Sequence, residues 1–315
     1  MSRKVRRFPS LKILAAVSGL ALIVASGCKK GGDSVEPVAE AAGIAEVPAG
    51  NKKPVSGVSL DGLSESQKNR FERLVDKLPS PCGKAHSLRT SVNEDASCKR
   101  AKYAAEYVVT MLGDAASNKD VRDFYKARYQ SEKPEKLPRF KLGDSPHEGP
   151  TDARIQLVEF YDYGCGACAQ FKPVLEEVMS SLPAGDVVLY YKMFPLDSHV
   201  NSKGAAQAAL AAFKQGKGPD ERYKNFKAMH DVLFKNMSKQ TKTDLTTHAK
   251  ALNLDMKAFE KDYGVAKTQV MADKEEGLPY VQGTPTLLVN GLRYEGPRSA
   301  KYIKAYIAEV MAVGS

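Results

Sequence analysis

Cys165 and Cys168 are the two side chains in this 315-residue chain whose spacing most directly indicates chemistry. Residues i and i+3 on one helical turn lie about 5–6 Å apart. A disulfide needs its Cα atoms about 4.4–6.8 Å apart. The pair can therefore close and open with little backbone movement, which suits reversible thiol–disulfide exchange. The same spacing also forms half of many zinc sites, but such a site needs further ligands elsewhere in the chain.

The segments on either side of the pair predict how it is positioned. An apolar run, Ile155–Tyr161, predicts a buried strand, and the pattern over Gly166–Leu182 predicts a helix. Cys165 is then expected at the helix N-terminus, where unpaired N–H groups and the helix dipole stabilise a thiolate. A thiolate is the form that attacks a disulfide. We therefore expect Cys165 to be the attacking sulfur and Cys168 to be the resolving one.

The residues around the pair resemble the thioredoxin superfamily. Glu159 lies six residues before Cys165, where the family has a buried acid that exchanges a proton with the deeper cysteine. Pro173 matches the family's helix-kinking proline. Thr284 and Pro285, followed by an apolar run, resemble the family's cis-proline loop and the strand after it. The resemblance implies a cis peptide bond at Pro285, packed against the reactive sulfur, with the backbone of Thr284 available to bind substrate.

The similarity is closer to DsbA-type oxidoreductases, which carry a helical insertion within the thioredoxin fold. About ninety residues separate the second predicted strand from Pro285, and they are helical in pattern, with separate helices expected over 256–263 and 265–276. We therefore expect an α/β, thioredoxin-like fold over 151–315 with an α-helical insertion at about 199–280. The resemblance implies an exported protein thiol:disulfide oxidoreductase that acts on client proteins, uses no cofactor and exchanges electrons with a membrane redox partner.

The direction of electron flow stays open. Strong oxidants of this family carry Pro-His between the cysteines, whereas this chain has Gly166-Ala167. One alternative is a reductase or isomerase that supports cytochrome c maturation or disulfide repair. An alternative of another class is a non-catalytic lipoprotein that uses the fold for surface binding, and the presence of both cysteines argues against it.

The first residues predict export. Five basic residues precede an apolar run of about twelve residues, which is too short to span a bilayer. Small residues then lead into Cys28, which resembles a lipoprotein cleavage site. We expect a signal peptide at 1–27, lipidation of Cys28 and a disordered tether at 28–61. An ordinary secretory signal is the alternative. The expected location is the periplasm, with a lipid anchor in the outer membrane rather than the inner one.

The net charge of +10 reflects this leader in part, because the rest of the chain has 42 basic and 37 acidic residues. So small a surplus, without interleaved aromatic residues, argues against nucleic acid as a partner.

Between the tether and the α/β domain, the pattern over 62–130 predicts a small three-helix module, followed by a linker at 131–150. A hydrophobic core of that size is marginally stable, and a covalent crosslink would stabilise it. In an oxidising compartment Cys82 and Cys98, sixteen residues apart, are expected to form a structural disulfide. A loose similarity to CcmH-type helical domains is weakened by Ala85, which stands where that family has a second cysteine.

No metal site is expected. A zinc site built from Cys82, Cys98, Cys165 and Cys168 would consume the reactive pair, and its spacings match no common zinc motif. The histidines are isolated in sequence and are expected to be packing or surface residues; those outside the helical module and the linker are His199, His230 and His248.

Overall fold

Ten helices and five strands form the part of the chain that the computed structural model describes, residues 53–131, 138–183 and 185–314. The predicted signal peptide, Cys28 and most of the predicted tether lie outside these residues. The helices are α1 Glu65–Lys77, α2 Leu88–Glu94, α3 Ala101–Gly113, α4 Asn118–Tyr129, α5 Gly166–Ser181, α6 Ser202–Lys214, α7 Pro219–Lys235, α8 Lys242–Ala251, α9 Met256–Gly277 and α10 Ala300–Val313. The strands are β1 His147–Glu148, β2 Ile155–Tyr161, β3 Val187–Met193, β4 Thr286–Val289 and β5 Leu292–Arg293.

The N-terminal helical module, α1 to α4, contains four helices where the sequence predicts three. Capping boxes begin α1 at Ser64 and α4 at Ser117. The additional helix, α2, follows Ser87, whose hydroxyl accepts a hydrogen bond from the backbone N–H of Thr90. Its seven residues are too few to show a helical repeat of apolar residues, which is why the sequence pattern does not predict it.

The predicted tether, 28–61, extends too far toward the C-terminus. Residues 53–61 pack against the helical module, where Val55 is 6% exposed and the side chain of Arg89 donates a hydrogen bond to the carbonyl oxygen of Lys53. An irregular segment held by side chains of another element has no periodicity of its own, so its sequence resembles a tether. The packed part of the chain therefore includes residue 53.

A five-stranded mixed sheet, in the order β1-β3-β2-β4-β5, forms the centre of the α/β domain. β2 and β3 run parallel and are connected through α5, which is the crossover that parallel strands require. β4 runs antiparallel to both β2 and β5. The hairpin between β4 and β5 turns at Asn290 and Gly291, whose φ angles of 48° and 82° suit a type I′ turn. β2 and β4 thus bring the cysteine pair and the Pro285 loop to neighbouring strand ends.

The edge strand β1 comes from the predicted linker. His147 and Glu148 pair with β3, and the ring of Phe140 packs against that of Phe160 at a centroid distance of 5.3 Å. Two paired residues and one aromatic side chain produce no periodic pattern, so the polar composition of the stretch suggested a linker instead. The described part of that stretch, 138–150, belongs to the α/β domain.

The helical insertion consists of α6 to α9. The sequence predicts a break at Gly264, but α9 is continuous from Met256 to Gly277. A Cβ atom at Gly264 would meet nothing within 4 Å, so the glycine lies on an open side of the helix. A glycine in an exposed helix interior costs about 1 kcal/mol. That cost does not end a helix whose Phe259 and Val270 are fully buried.

The helical module and the α/β domain share one hydrophobic core. They are also joined by Glu309 of α10, which is 0% exposed. Its carboxylate pairs with Arg100 at 2.7 Å and with Arg128, and Tyr129 donates a hydrogen bond to it at 3.0 Å. The start of α3 and the end of α4 are therefore both fixed to α10 by a buried charge and its three partners.

Candidate active site

Cys165 and Cys168 lie at the start of α5, just after β2 ends. Cys165 occupies the N-cap position, and the N–H of Cys168 donates to its carbonyl oxygen at 3.1 Å. Both are free thiols. Cys165 is partly exposed, whereas Cys168 is fully buried. One sulfur can therefore meet another molecule, while the other is shielded beneath it.

The loop that precedes β4 lies against the exposed sulfur. The Thr284–Pro285 peptide bond is cis, and Cys165 Sγ donates a hydrogen bond to the carbonyl oxygen of Thr284 at 3.3 Å. Within the described ranges, Thr284 Oγ1 is buried and has no hydrogen-bond partner. The hydroxyl is therefore available to donate a hydrogen bond to the Cys165 sulfur. A hydrogen bond stabilises the charged form of the group that accepts it, so this bond would favour the thiolate.

The surroundings of Cys165 favour its ionised form. Burial by itself raises the pKa of the Cys165 thiol, but hydrogen bonding outweighs burial and holds that pKa below its ordinary value. The groups that lower the pKa are the side chain of Thr284 and the first-turn residues Cys168 and Ala167, not the carbonyl oxygen of Thr284. First-turn N–H groups have no partner within a helix and are free to bind a thiolate. Cys165 thus carries more thiolate at neutral pH than a cysteine in an unfolded chain.

Cys168 is in the opposite situation. Burial raises the pKa of its thiol strongly, and the charge of Glu159 raises it further. The Glu159 side chain comes from β2 and is 3% exposed. Burial raises the pKa of this carboxyl to about 8. At neutral pH the carboxyl group and the buried thiol therefore both hold protons, so Cys168 must lose a proton before it can attack.

Asp162 fixes the turn that carries Cys165, and the sequence did not single it out. Its buried carboxylate accepts hydrogen bonds from Gly164 N at 2.6 Å, from His199 Nδ1 at 2.7 Å and from Ser202. A Cβ atom at Gly164 would lie 2.7 Å from the Cβ of His199. The active-site turn is thereby fastened to the start of the helical insertion. The available signal was the phrase F-P-L-D-S-H after β3, which contains His199.

Two tyrosines near the pair belong to the core. Tyr161 and Tyr163 are both 1% exposed, and their hydroxyl groups lie 2.9 Å apart. The hydroxyl of Tyr163 also lies 3.0 Å from Nδ1 of His230 in α7. Burial lowers the pKa of His230 to about 3, so its ring is neutral. These residues pack the insertion against the sheet, as expected for His230.

Cys82 and Cys98 form a disulfide, with Cα atoms 5.8 Å apart. The bond connects the turn after α1 to the residues just before α3, and α2 lies within the loop that it closes. Because these two sulfurs are bonded to each other, they are not ligands of the four-cysteine zinc site considered from the sequence. Over the ranges that the structure describes, no group of three or more His, Cys, Asp or Glu side chains could hold a metal ion. None of the helices described there is long and apolar enough to cross a membrane.

A sequence profile described as thioredoxin matches residues 141–309, more than half of the chain. The chain belongs to the thioredoxin family. The match covers the α/β domain with its insertion and leaves the helical module outside. The probable disulfide bond formation protein D of Bacillus cereus is 31% identical over 157 residues, which cover 45% of this chain and 68% of that protein.

Two further similarities are partial. The Na⁺/H⁺ antiporter NhaA 3 of Salinispora tropica is 31% identical over 169 residues, which cover 52% of this chain and 24% of the antiporter. The chain thus spans about a quarter of the length of the antiporters that it matches. Oxidised BdbD from Bacillus subtilis has a TM-score of 0.44 and 23% identity over 56% of this chain and 97% of that chain.

Proposed function

We propose that this protein is a DsbA-type thiol–disulfide oxidoreductase that exchanges disulfides with client proteins through Cys165 and Cys168. The observation that carries the proposal is the contrast between the two sulfurs. The exposed one has a lowered pKa, and the buried one, a single helical turn away, has a raised pKa. Membership in the thioredoxin family supports the same conclusion.

The exchange proceeds in two balanced steps. In the reducing direction, the Cys165 thiolate attacks one sulfur of a client disulfide, and the other client sulfur leaves as a thiolate. Cys168 then loses its proton, with Glu159 as the acceptor when its carboxyl is ionised, and attacks Cys165 Sγ. The client leaves with both sulfurs reduced, and Cys165 and Cys168 become a disulfide. The reverse sequence transfers that disulfide to a client dithiol.

The direction depends on how well the protein stabilises the reduced pair. Gly166 and Ala167 place no charged side chain between the cysteines. We therefore expect a less oxidising potential than that of family members with Pro-His. A reductase or isomerase for cytochrome c maturation or disulfide repair uses the same site, and a membrane redox partner would restore its active form.

We further propose that the leader exports the protein, so that the exchange takes place outside the cytoplasm. A lipid on Cys28 would anchor the domain to the cell envelope. We propose the outer membrane, rather than the inner one, as the site of this anchor. Palmitate labelling of the full chain and of its Cys28→Ala variant tests the anchor, since only the former should incorporate label.

An insulin-reduction assay with the full chain tests the activity itself. The wild type should turn over, Cys165→Ser should be inactive, and Cys168→Ala should accumulate a mixed disulfide with the client. Equilibration with glutathione then gives the potential and separates oxidant from reductase. A wild type without thiol exchange in either direction would leave the non-catalytic binding lipoprotein as the better description.

A further inference from the structure

Asp162 contacts both reactive cysteines through its backbone. Its carbonyl oxygen accepts a hydrogen bond from the N–H of Cys165 at 3.1 Å. Its backbone N–H is hydrogen-bonded to the sulfur of Cys168, and this bond partly offsets the rise in the pKa of that thiol. The attacking and the resolving cysteine are therefore both held by this one residue, which lies between the end of β2 and the start of α5.

The side chain of Asp162 is held in turn by four donors. Its carboxylate is 0% exposed. Oδ1 accepts hydrogen bonds from the N–H of Gly164 at 2.6 Å and from the hydroxyl of Ser202. Oδ2 accepts them from the N–H of Leu196 at 2.8 Å and from Nδ1 of His199 at 2.7 Å. Three of these four donors belong to the segment between β3 and the first residue of α6, so the carboxylate connects the cysteine turn to the helical insertion.

The turn and the insertion also touch directly. A Cβ atom at Gly164 would lie 2.7 Å from the Cβ of His199 and 2.8 Å from Oγ of Ser202. Cβ atoms do not approach other atoms so closely, so position 164 takes a side chain only if the turn moves away from α6. The carboxylate at 162 and the glycine at 164 therefore serve the same contact.

The reduced and the oxidised cysteine pair depend differently on this turn. The Cys165 thiolate is stabilised by hydrogen bonds from the first turn of α5 and from the side chain of Thr284, and such bonds require donors at about 3 Å with good alignment. A disulfide is uncharged and gains little from the same donors. A turn that lost its anchor would therefore weaken the reduced form more than the oxidised form, and the equilibrium would move toward the disulfide.

We propose that Asp162 is a positioning residue that sets the balance between the reduced and the oxidised cysteine pair, with His199 and Ser202 of the insertion as its anchor. The inference rests on the proposed function and concerns the same site. It gives the insertion a part in the chemistry, because helices that interrupt the thioredoxin fold hold the turn from which the reaction starts. In general, a reactive group keeps its geometry only when the residues behind it are themselves fixed.

Asp162→Asn tests the proposal because it keeps the size of the side chain and changes its hydrogen bonding. An amide has one accepting oxygen and a nitrogen that donates, so the donors that now meet one of the two carboxylate oxygens lose their acceptor. We expect the thiolate fraction of Cys165 at neutral pH, measured by thiolate absorbance, to fall about tenfold. We expect the equilibrium constant with glutathione to move about tenfold toward the disulfide form.

Changes at the anchor should act in the same direction with smaller size. Gly164→Ala, which pushes the turn away from α6, and His199→Ala, which removes one donor, should each move the equilibrium about threefold toward the disulfide. His199→Asn should restore the wild-type value, because the amide nitrogen of asparagine donates from nearly the position of Nδ1. Rescue by this variant would be unexpected if His199 acted only by filling space.

The matched control is Asp273→Asn. Asp273 is also a buried aspartate that joins the insertion to the sheet, since it pairs with Lys192 at 2.7 Å and accepts from the N–H of Met193 at 3.3 Å. These partners belong to β3 and not to the cysteine turn. The control should lower the free energy of unfolding, as Asp162→Asn does, and leave the thiolate fraction and the equilibrium constant unchanged.

The outcomes separate positioning from folding and from function. If Asp162→Asn folds, by circular dichroism, and keeps the wild-type thiolate fraction and equilibrium constant, the proposal is wrong although the exchange activity stands. An equal shift in Asp273→Asn would overturn it as well. If Asp162→Asn does not fold, Gly164→Ala and His199→Ala decide by the same two measurements. A wild type that exchanges thiols with neither glutathione nor insulin overturns the proposed function, whereas the titration of Cys165 still tests the positioning role.

Discussion

Cys165 and Cys168 stand one helical turn apart as free thiols, whereas Cys82 and Cys98 are sixteen residues apart and bonded to each other. The first pair lies where N–H groups at a helix start meet the loop that precedes the neighbouring strand β4, so one sulfur is partly exposed and has a lowered pKa. The second pair closes a loop between two helices, where Cys98 is 4% exposed. The same side chain is a reagent in one setting and a crosslink in the other.

The two cysteine pairs also differ in the pKa of the acidic side chain near them. Burial raises the pKa of Glu159, near Cys168, to about 8. Asp95, whose carbonyl oxygen accepts a hydrogen bond from the N–H of Cys98, is held at a pKa of about 2 by hydrogen bonds to Ser97 and Lys84. An acid that titrates near neutrality can exchange protons during a reaction, whereas one that stays ionised contributes only a fixed charge.

The largest expected effect is on disulfide reduction, which should depend on Cys165 and not on the Cys82–Cys98 disulfide. Cys165→Ser should slow reduction of a protein disulfide by about a thousandfold or more, because it removes the attacking sulfur. The double variant Cys82→Ser/Cys98→Ser should keep wild-type rates at temperatures where it is folded. Insulin reduction measures both. Equal losses in the two variants would mean that the module's disulfide takes part in the exchange.

Replacing the buried acid should change the pH dependence of stability. The folded pKa of Glu159 lies above its unfolded value, so the folded state binds more protons and its stability falls as pH rises between the two values. Glu159→Gln removes this loss and should gain about 4 kcal/mol relative to the wild type between pH 5 and pH 8.

Urea unfolding at several pH values measures this gain. Asp95→Asn is the matched control, and its free energy of unfolding relative to the wild type should stay level over the same range. The Glu159 variant should at the same time resolve mixed disulfides more slowly, because Cys168 has lost its proton acceptor. A gain in stability that does not grow with pH would show that the carboxyl titrates normally.

Removing the structural disulfide should affect stability alone. Cys82→Ser/Cys98→Ser should lower the free energy of unfolding by about 3 kcal/mol, the chain-entropy value for a loop of this size. Chemical denaturation with and without reductant provides the measurement. With Cys165→Ser and Cys168→Ala added to both proteins, so that the catalytic pair cannot form a disulfide, reductant should destabilise the protein that keeps Cys82 and Cys98 and leave the other unchanged. Any other pattern would place the stabilising bond elsewhere.

The smallest effect concerns the hydroxyl beside the reactive sulfur. Thr284→Val should raise the pKa of Cys165 and reduce its thiolate fraction at neutral pH about threefold to tenfold, the value of one hydrogen bond. Thiolate absorbance near 240 nm follows the titration. Thr286→Val is the control, because Thr286 Oγ1 donates to the carbonyl oxygen of Gly283 instead. Equal shifts in both variants would attribute the effect to distortion of the loop.

Features set by neighbouring residues could be predicted from the sequence. The cysteine spacing, the capping boxes at Ser64 and Ser117 and the turn at Asn290-Gly291 each depend on a few consecutive side chains. The cis bond before Pro285 followed from resemblance to a family, not from the local sequence. The roles of Glu159, Thr284 and Pro285 remain proposals.

Features set by distant partners could not be predicted. A glutamate in α10 is expected at the surface when only the sequence is considered. In the structure Glu309 is bound to Arg128, which lies 181 positions earlier in the chain. Lys192 is 2% exposed within β3 because it pairs with Asp273 of the insertion at 2.7 Å. Asp162 likewise shows its importance only when α6 closes over the active-site turn. In each case the physical reason is a buried charge that is tolerable only with its partner present.

The ion network at Glu309 bears on how this protein can be divided. The family match begins at residue 141, yet the carboxylate at position 309 is neutralised by two arginines that precede it. A protein cut at that boundary would keep a buried anion and lose both cations. The matched domain of this chain is therefore not independent of the helical module, and the two parts are expected to be stable only together.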